Sequence, residues 1–357
     1  MRIYIITCNN AYNYGAVLQA YGLSKYLENE GHSCEIVNFV PPHLRKISKK
    51  YRKNIFAIIV RNILYWPDYS RSSKIFKDFR KKYLTETKLC YNISDISELL
   101  KADLYICGSD QIWNPDMENG YCKEYYFDFK DRVNKISYAA SIGKKIIDKN
   151  FLLFLKYELK DFSYITVREK RSVEDLKKVG VKSDYVIDPV FLLSGGEWKE
   201  LIQKENFKDQ DYVLVYALHH IQKVYDYARK LAFKQRLKLY VISVEIREIF
   251  RGNDKFFWNP SVNDFISLFS SAKAVVSNSF HGISLAIIFR IPLHIFDTEK
   301  DDIRISNIVE IFKLKNRIVK RPYNLLENKE SFDSCSIDSE ICRSKNILEE
   351  MLRGSMQ

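Results

Sequence analysis

Short apolar runs that end in polar or glycine-containing loops recur along this chain, separated by stretches of helical spacing. That alternation limits the possible folds more than any other feature, because strands that alternate with helices build parallel sheets. Residues 2–7 read as a strand, 15–27 as a helix stopped by Gly31, and 34–39 as a second strand. A basic helical segment follows over 44–84, interrupted by Pro67. Further strand runs at 104–107, 135–140 and 164–167 precede a closing run at 186–189. The rhythm then restarts: strands at 212–218, 239–243, 274–276 and 292–296, with helices at 223–235, 262–271 and 282–289. The pattern predicts two α/β domains of parallel sheet facing each other, 1–190 and 191–323. A polar tail over 324–357 ends in a helix at 346–352. In such folds ligands bind beyond the carboxyl ends of the strands, which makes the strand-end loops the candidates for function.

Charge is concentrated rather than spread. The 357 residues include 57 Lys and Arg against 45 Asp and Glu, a formal net charge of +12. Thirteen basic residues and two acids fall between His43 and Leu84, so all but one of the net positive charges lie in that segment. This argues against a nucleic-acid-binding surface and for one local basic patch. Its apolar residues, Ile55 to Trp66, suit a contact with an anionic membrane leaflet, or else simple packing with solvated lysines outside. Met1–Ile6 lacks the pattern of a secretory leader, and the apolar run over 54–66 is broken by Arg61 and Asn62. Seven scattered cysteines without a CxxC pair, and six histidines without ligand spacing, read as reduced thiols and no metal site. The expectation is a cytoplasmic protein.

Four strand-end loops carry groups suited to chemistry. Asn9–Gly15 leads into a helix whose free N–H groups suit an anion or sugar hydroxyls, or whose start Asn13 simply caps. It has neither GxGxxG nor a P-loop. In Gly108–Pro115, Asp110 stands directly after a buried strand, placed to take a proton from a hydroxyl or to cap the next turn. Arg168 follows the strand at 164–167, where its fork suits a carboxylate or phosphate; the plainer alternative is a surface pair with Glu169. Ser277–Gly282 puts His281 near a helix start beside hydroxyls, a place for an anion and a proton donor together. GxSxG is missing, so no hydrolase elbow is implied.

Taken together, Asn13–Ala20, Gly108–Pro115, Tyr138–Gly143, Val167–Glu169, Asp188–Leu193 and Asn278–Gly282 resemble the polysaccharide pyruvyl transferase family over about residues 1–319. The resemblance implies two Rossmann-like domains in a GT-B-like arrangement. It also implies transfer of pyruvate from phosphoenolpyruvate (PEP) to two hydroxyls of a cell-envelope or exopolysaccharide sugar, often lipid-linked, to form a cyclic ketal. Arg168 matches the family arginine that grips PEP, His281 its active-site histidine, and Asp110 its acidic position. Asn13, Tyr14, Gly15, Ser109, Gln111, Ser279, Phe280 and Gly282 fall in the matching loops as substrate-binding candidates. Where several members read Arg-Leu-His, this chain reads Ser279-Phe280-His281. Arg304, or Arg290, is the candidate replacement for the missing cation.

The chemistry implied needs no metal and no cofactor beyond PEP as co-substrate. His281 is the candidate proton donor or phosphate ligand and Asp110 the candidate base, with the two roles exchangeable. Partners are PEP and a free or lipid-linked glycan, with a peripheral contact at the inner face of the cytoplasmic membrane. The rivals are a GT-B glycosyltransferase using a nucleotide sugar and a non-catalytic glycan-binding protein.

Overall fold

The computed structural model describes residues 1–45, 55–99, 101–129, 133–204, 207–208, 210–218, 221–246, 254–296, 303–320, 325–326 and 332–355. Two parallel sheets organise the chain. The first contains β1 (Arg2–Ile6), β2 (Ser33–Ile36), β3 (Leu104–Cys107), β4 (Lys135–Ala140), β5 (Tyr164–Val167) and β6 (Asp184–Tyr185), in the order β2-β1-β3-β4-β5-β6. The second contains β7 (Tyr212–Tyr216), β8 (Lys238–Ser243), β9 (Lys255–Trp258), β10 (Ala274–Ser277) and β11 (Leu293–Ile295), in the order β11-β10-β7-β8-β9. The strand order therefore reverses between β1 and β3 in one sheet and between β7 and β10 in the other. These are the crevices where doubly wound sheets bind ligands.

Strand pleating explains the core. Ile3 and Ile5 of β1 face one side and Tyr4 and Ile6 the other; Tyr212, Leu214 and Tyr216 of β7 likewise alternate with Val213 and Val215. The inward sets of both sheets join a single apolar core, while each outer face has its own cluster. The two halves are thus joined through apolar side chains, with helices such as Tyr14–Asn29 and Phe280–Ile288 supplying much of the core between the sheets. That is a firmer attachment than a polar interdomain contact.

Two helices bind the halves further. The helix Ile55–Tyr83 runs through Pro67 instead of breaking there. An internal proline costs a helix roughly 3 kcal/mol, and contacts on the C-terminal side of it offset this. Phe76 and Phe79 enter the shared core, Arg71 Nε donates to Trp258 O at 2.9 Å and Asn259 O at 3.0 Å, and Asp68 Oδ1 accepts from Trp258 Nε1 at 2.7 Å. Arg80, counted above with the basic patch, is buried and pairs with Glu86 at 3.3 Å. The lysine cluster at 46–54 and the side chains of 55–65, on which the membrane expectation chiefly rests, lie outside the described residues. Among the described residues, no helix is long and apolar enough to cross a membrane.

The final helix, Ser334–Gly354, is longer than its sequence pattern suggests and returns to the first sheet. Ile337, Leu348, Met351 and Leu352 enter the shared core, and Ser344 Oγ accepts from Ile187 N at 3.1 Å.

Candidate active site

Both reversal points open onto one cavity of about 320 Å³. Asn13, Gly15, Asp110 and Gln111 reach it from the first domain, and Ser279, Phe280, His281 and Arg304 from the second. Arg304 begins the helix Ile303–Ile311 and supplies a cation at the wall. Arg290 does not; it pairs with Asp338 of the last helix.

Each loop is built for its place. Asn13 Oδ1 accepts from Gly15 N at 2.7 Å and so caps the helix Tyr14–Asn29, while the residue also lines the cavity. Gly15 is required by proximity: a Cβ there would stand 2.0 Å from His281 Nδ1. Asp110 sits at φ 66, a left-handed conformation uncommon for Asp, and its carbonyl accepts from Ile112 N and Ser141 N. The helix expected from Gly282 starts earlier, at Phe280, because Ser279 serves as its N-cap. His281 therefore lies within the first turn, where free N–H groups and the positive end of the helix dipole favour an anion.

Four of the expected site residues stand behind the cavity instead of in its wall. Tyr14 is buried, stacks on Phe265 with ring centres 4.0 Å apart, and donates its hydroxyl to Pro260 O at 2.6 Å; it pins the domains together. Ser109 is buried and donates to Asp188 Oδ2 at 3.3 Å. Gly282 is buried with no room for a side chain, since a Cβ would meet Ser277 Oγ at 2.5 Å.

Arg168 differs most from expectation. It is only 2% exposed, so the surface-pair alternative does not apply. Its fork is already engaged: Nη1 donates to Asp188 Oδ2 at 2.6 Å, Nε faces Glu169 Oε1 at 3.5 Å, and Nη2 lies 3.8 Å from Asp110 Oδ1. Burial acts against its charge, but Asp188, Glu169 and Asp110 outweigh burial and hold the guanidinium pKa above its ordinary value. The guanidinium also lies over the Phe280 ring at 4.8 Å.

His281 Nε2 stands 3.9 Å from the same Asp188 oxygen. Burial depresses its pKa below the usual histidine value; Asp188 and Asp110 oppose that shift, and Arg168 and Arg304 reinforce it. The imidazole is thus neutral at pH 7. Arg168 Nη2 and His281 Nε2 are both buried without a hydrogen-bond partner. Such donors and acceptors are costly unless a ligand engages them.

Two residues essential to this geometry escape the sequence reading of the site. Asp188 is the acid on which Arg168, Ser109 and His281 converge. Gln19 is wholly buried and links the two first-domain loops, donating to Thr7 Oγ1 at 2.9 Å and accepting from Ser109 N at 3.3 Å. The available signals were a carboxylate fixed before Pro189 and one amide inside the apolar run Ala16–Leu23. Among the described residues no cluster of His, Cys, Asp and Glu has the arrangement of a metal site.

Known structures share this architecture at low sequence identity. A putative UDP-N-acetylglucosamine 2-epimerase from Listeria monocytogenes aligns with a TM-score of 0.54 and 12% identity, covering 95% of this chain and 90% of its own. The UDP-GlcNAc 2-epimerase of Methanocaldococcus jannaschii aligns with a TM-score of 0.51 and 13% identity, covering 97% and 92%. The Rickettsia bellii UDP-N-acetylglucosamine 2-epimerase gives 0.51 and 10%, covering 99% and 96%. At these identities the likeness establishes the two-domain GT-B fold and nothing about substrate. No curated protein sequence matches the chain. The model of the polysaccharide pyruvyl transferase family matches residues 13–300, a span that includes Asn13, Gly15, Asp110, Gln111, Ser279, Phe280 and His281 of the cavity wall. Fold, cavity and family match agree: the chain belongs to the polysaccharide pyruvyl transferase family.

Proposed function

We propose that this protein transfers the pyruvyl group of PEP to two hydroxyls of a cell-envelope or exopolysaccharide sugar, forming a cyclic ketal. One observation carries the reading: two buried nitrogens without a hydrogen-bond partner, His281 Nε2 in the cavity wall and Arg168 Nη2 behind it, stand among the family's motif loops from both domains. Family membership supports a transferase. PEP serves as the activated co-substrate, and the proposal calls for no resident cofactor.

Arg304 and the N-terminus of the helix Phe280–Ile288 bind the phosphate and carboxylate of PEP. Arg168 acts from behind, holding Asp188 and Asp110 in place, and offers only Nη2 toward a ligand. The incoming anion favours imidazolium, so His281 takes up a proton on binding and then delivers it to the PEP methylene. The C2 centre becomes oxocarbenium-like, and the first sugar hydroxyl adds to it while Asp110 takes the hydroxyl proton. Phosphate departs with the C2–O bond pair. The second hydroxyl then closes the ketal, its proton passing to the departing phosphate. The acceptor is a free or lipid-linked glycan, used on the cytoplasmic side of the membrane.

The direct test mixes purified protein with PEP and the envelope glycan fraction of the producing cell. Phosphate release, matched by the mass of one added ketal, is the expected result, lost in His281→Ala. Stabilisation against heat by a UDP- or GDP-sugar but not by PEP would replace this reading with nucleotide-sugar chemistry.

A further inference from the structure

Beside the His281 cavity opens a second cleft of about 390 Å³. Asn13, Tyr216 and Leu218 line both spaces, so the two adjoin. The remaining walls come from opposite domains: Asp68, Tyr69 and Ser72 on the helix Ile55–Tyr83, and Val244 and Glu245 beyond β8.

The two spaces differ in charge. Arg304 and His281 line the first, whereas no Lys, Arg or His is among the described residues lining the second. The carboxylates of Asp68 and Glu245 make the second cleft hostile to an anion such as PEP. They suit hydroxyl donors instead, and Ser72 and Asn13 add short polar groups at the same wall. Tyr69 is 60% exposed and presents a ring of the kind that covers the apolar face of a pyranose.

The wall is already ordered. Tyr69 meets Tyr12 edge to face with ring centres 5.4 Å apart, and the Tyr12 hydroxyl accepts from Ser73 Oγ at 3.0 Å. Asp68 Oδ1 is fixed by Ile246 N at 2.9 Å and Trp258 Nε1 at 2.7 Å. Side chains held in place before the ligand arrives lose little freedom on binding.

We propose that this cleft is a second saccharide subsite. It receives the neutral sugar next to the one that is pyruvylated, so the preferred acceptor is a disaccharide or longer. The assignment of that sugar as the neighbour of the pyruvylated one rests on reading the first cavity as the pyruvyl-transfer site; the saccharide site itself is tested separately.

The experiment uses an array of mono- to tetrasaccharides of bacterial-envelope type, with the wild-type protein, Tyr69→Ala, Glu245→Gln and His281→Ala. Wild type is expected to hold at least one neutral oligosaccharide ~10-fold more tightly than its terminal monosaccharide. Tyr69→Ala, a change at an exposed position, should bring that ratio close to one. His281→Ala should keep the ratio while losing PEP-dependent phosphate release. Equal retention of mono- and oligosaccharides by wild type overturns the subsite, as does a ratio that survives both Tyr69→Ala and Glu245→Gln. If the ratio is present but PEP is neither bound nor consumed, the subsite stands and the transfer reading falls.

Discussion

Asp188 holds several groups of the site at once. Oδ2 takes the Arg168 and Ser109 hydrogen bonds and faces His281, while Oδ1 accepts from Val190 N at 3.1 Å. Asp188→Asn removes the charge that balances a buried guanidinium, and the loss of one partner of such a pair costs roughly 3 kcal/mol. Urea denaturation of the variant should register that loss. Gly15→Ala acts on geometry alone. Alanine is the better helix former, but its methyl needs the space of His281, so phosphate release should fall by about 100-fold with little change in melting temperature. An active Gly15→Ala enzyme would remove His281 from the chemistry. The depressed pKa of His281 also fixes a sign for the proposed chemistry: if PEP binding charges an imidazole that is neutral when free, binding takes up a proton. Affinity should therefore weaken as pH rises between the free and bound pKa values. Calorimetry near pH 6.5 in buffers of different ionisation heat should detect the uptake, and His281→Gln should abolish it. Asp110 and His281 were legible in the sequence as cavity-wall residues because each follows an apolar strand within four residues. The inward engagement of Arg168 was not, because its partners at 110 and 188 are distant in sequence, and only the fold reveals how many carboxylates surround one arginine.

Among the elements, strands buried on both faces were the easiest to read: β3, β7 and β10 are continuous apolar runs, as central parallel strands must be. β9 escaped, since Lys255–Trp258 is only half-buried at a sheet edge and carries no alternating pattern. Pro67 suggested a break that packing on its C-terminal side overrode, because propensity is a weak guide once a helix has core contacts. β11 carries a prediction of its own. His294 Nδ1 shares a hydrogen bond with the Tyr227 hydroxyl at 2.7 Å, and Tyr227 also accepts from Leu326 N. Burial first, then Arg317, pushes its pKa down from 6.5 to about 4. Between those values the unfolded chain binds a proton that the folded chain refuses. This stability is therefore complete above pH 6.5 and is lost as pH falls toward 4, by on the order of 3 kcal/mol. Stability curves at pH 7 and pH 4.5 should differ less in His294→Gln than in wild type.

At the scale of the molecule, the apolar core shared by the two halves and the bonds from the helix Ile55–Tyr83 to Trp258 and Asn259 hold together the two domains that form the cavity. The site thus depends on the whole chain, and so does the first domain. The segment just beyond its last strand is held by Ser344, which satisfies the amide of Ile187 from 157 residues further along. At roughly 5–20 residues per second, a ribosome needs about 8–30 s to cover that distance. The half of the protein made first is thus finished last, and for that interval an apolar face waits for Ile337, Leu348, Met351 and Leu352. A chain cut before Ser334 should expose that face, aggregate on synthesis, and recover solubility when a peptide spanning 334–355 is supplied in trans. Full solubility of the truncated chain alone would show that the waiting face needs no such cover, and nascent chains of this length would then need no chaperone to protect it.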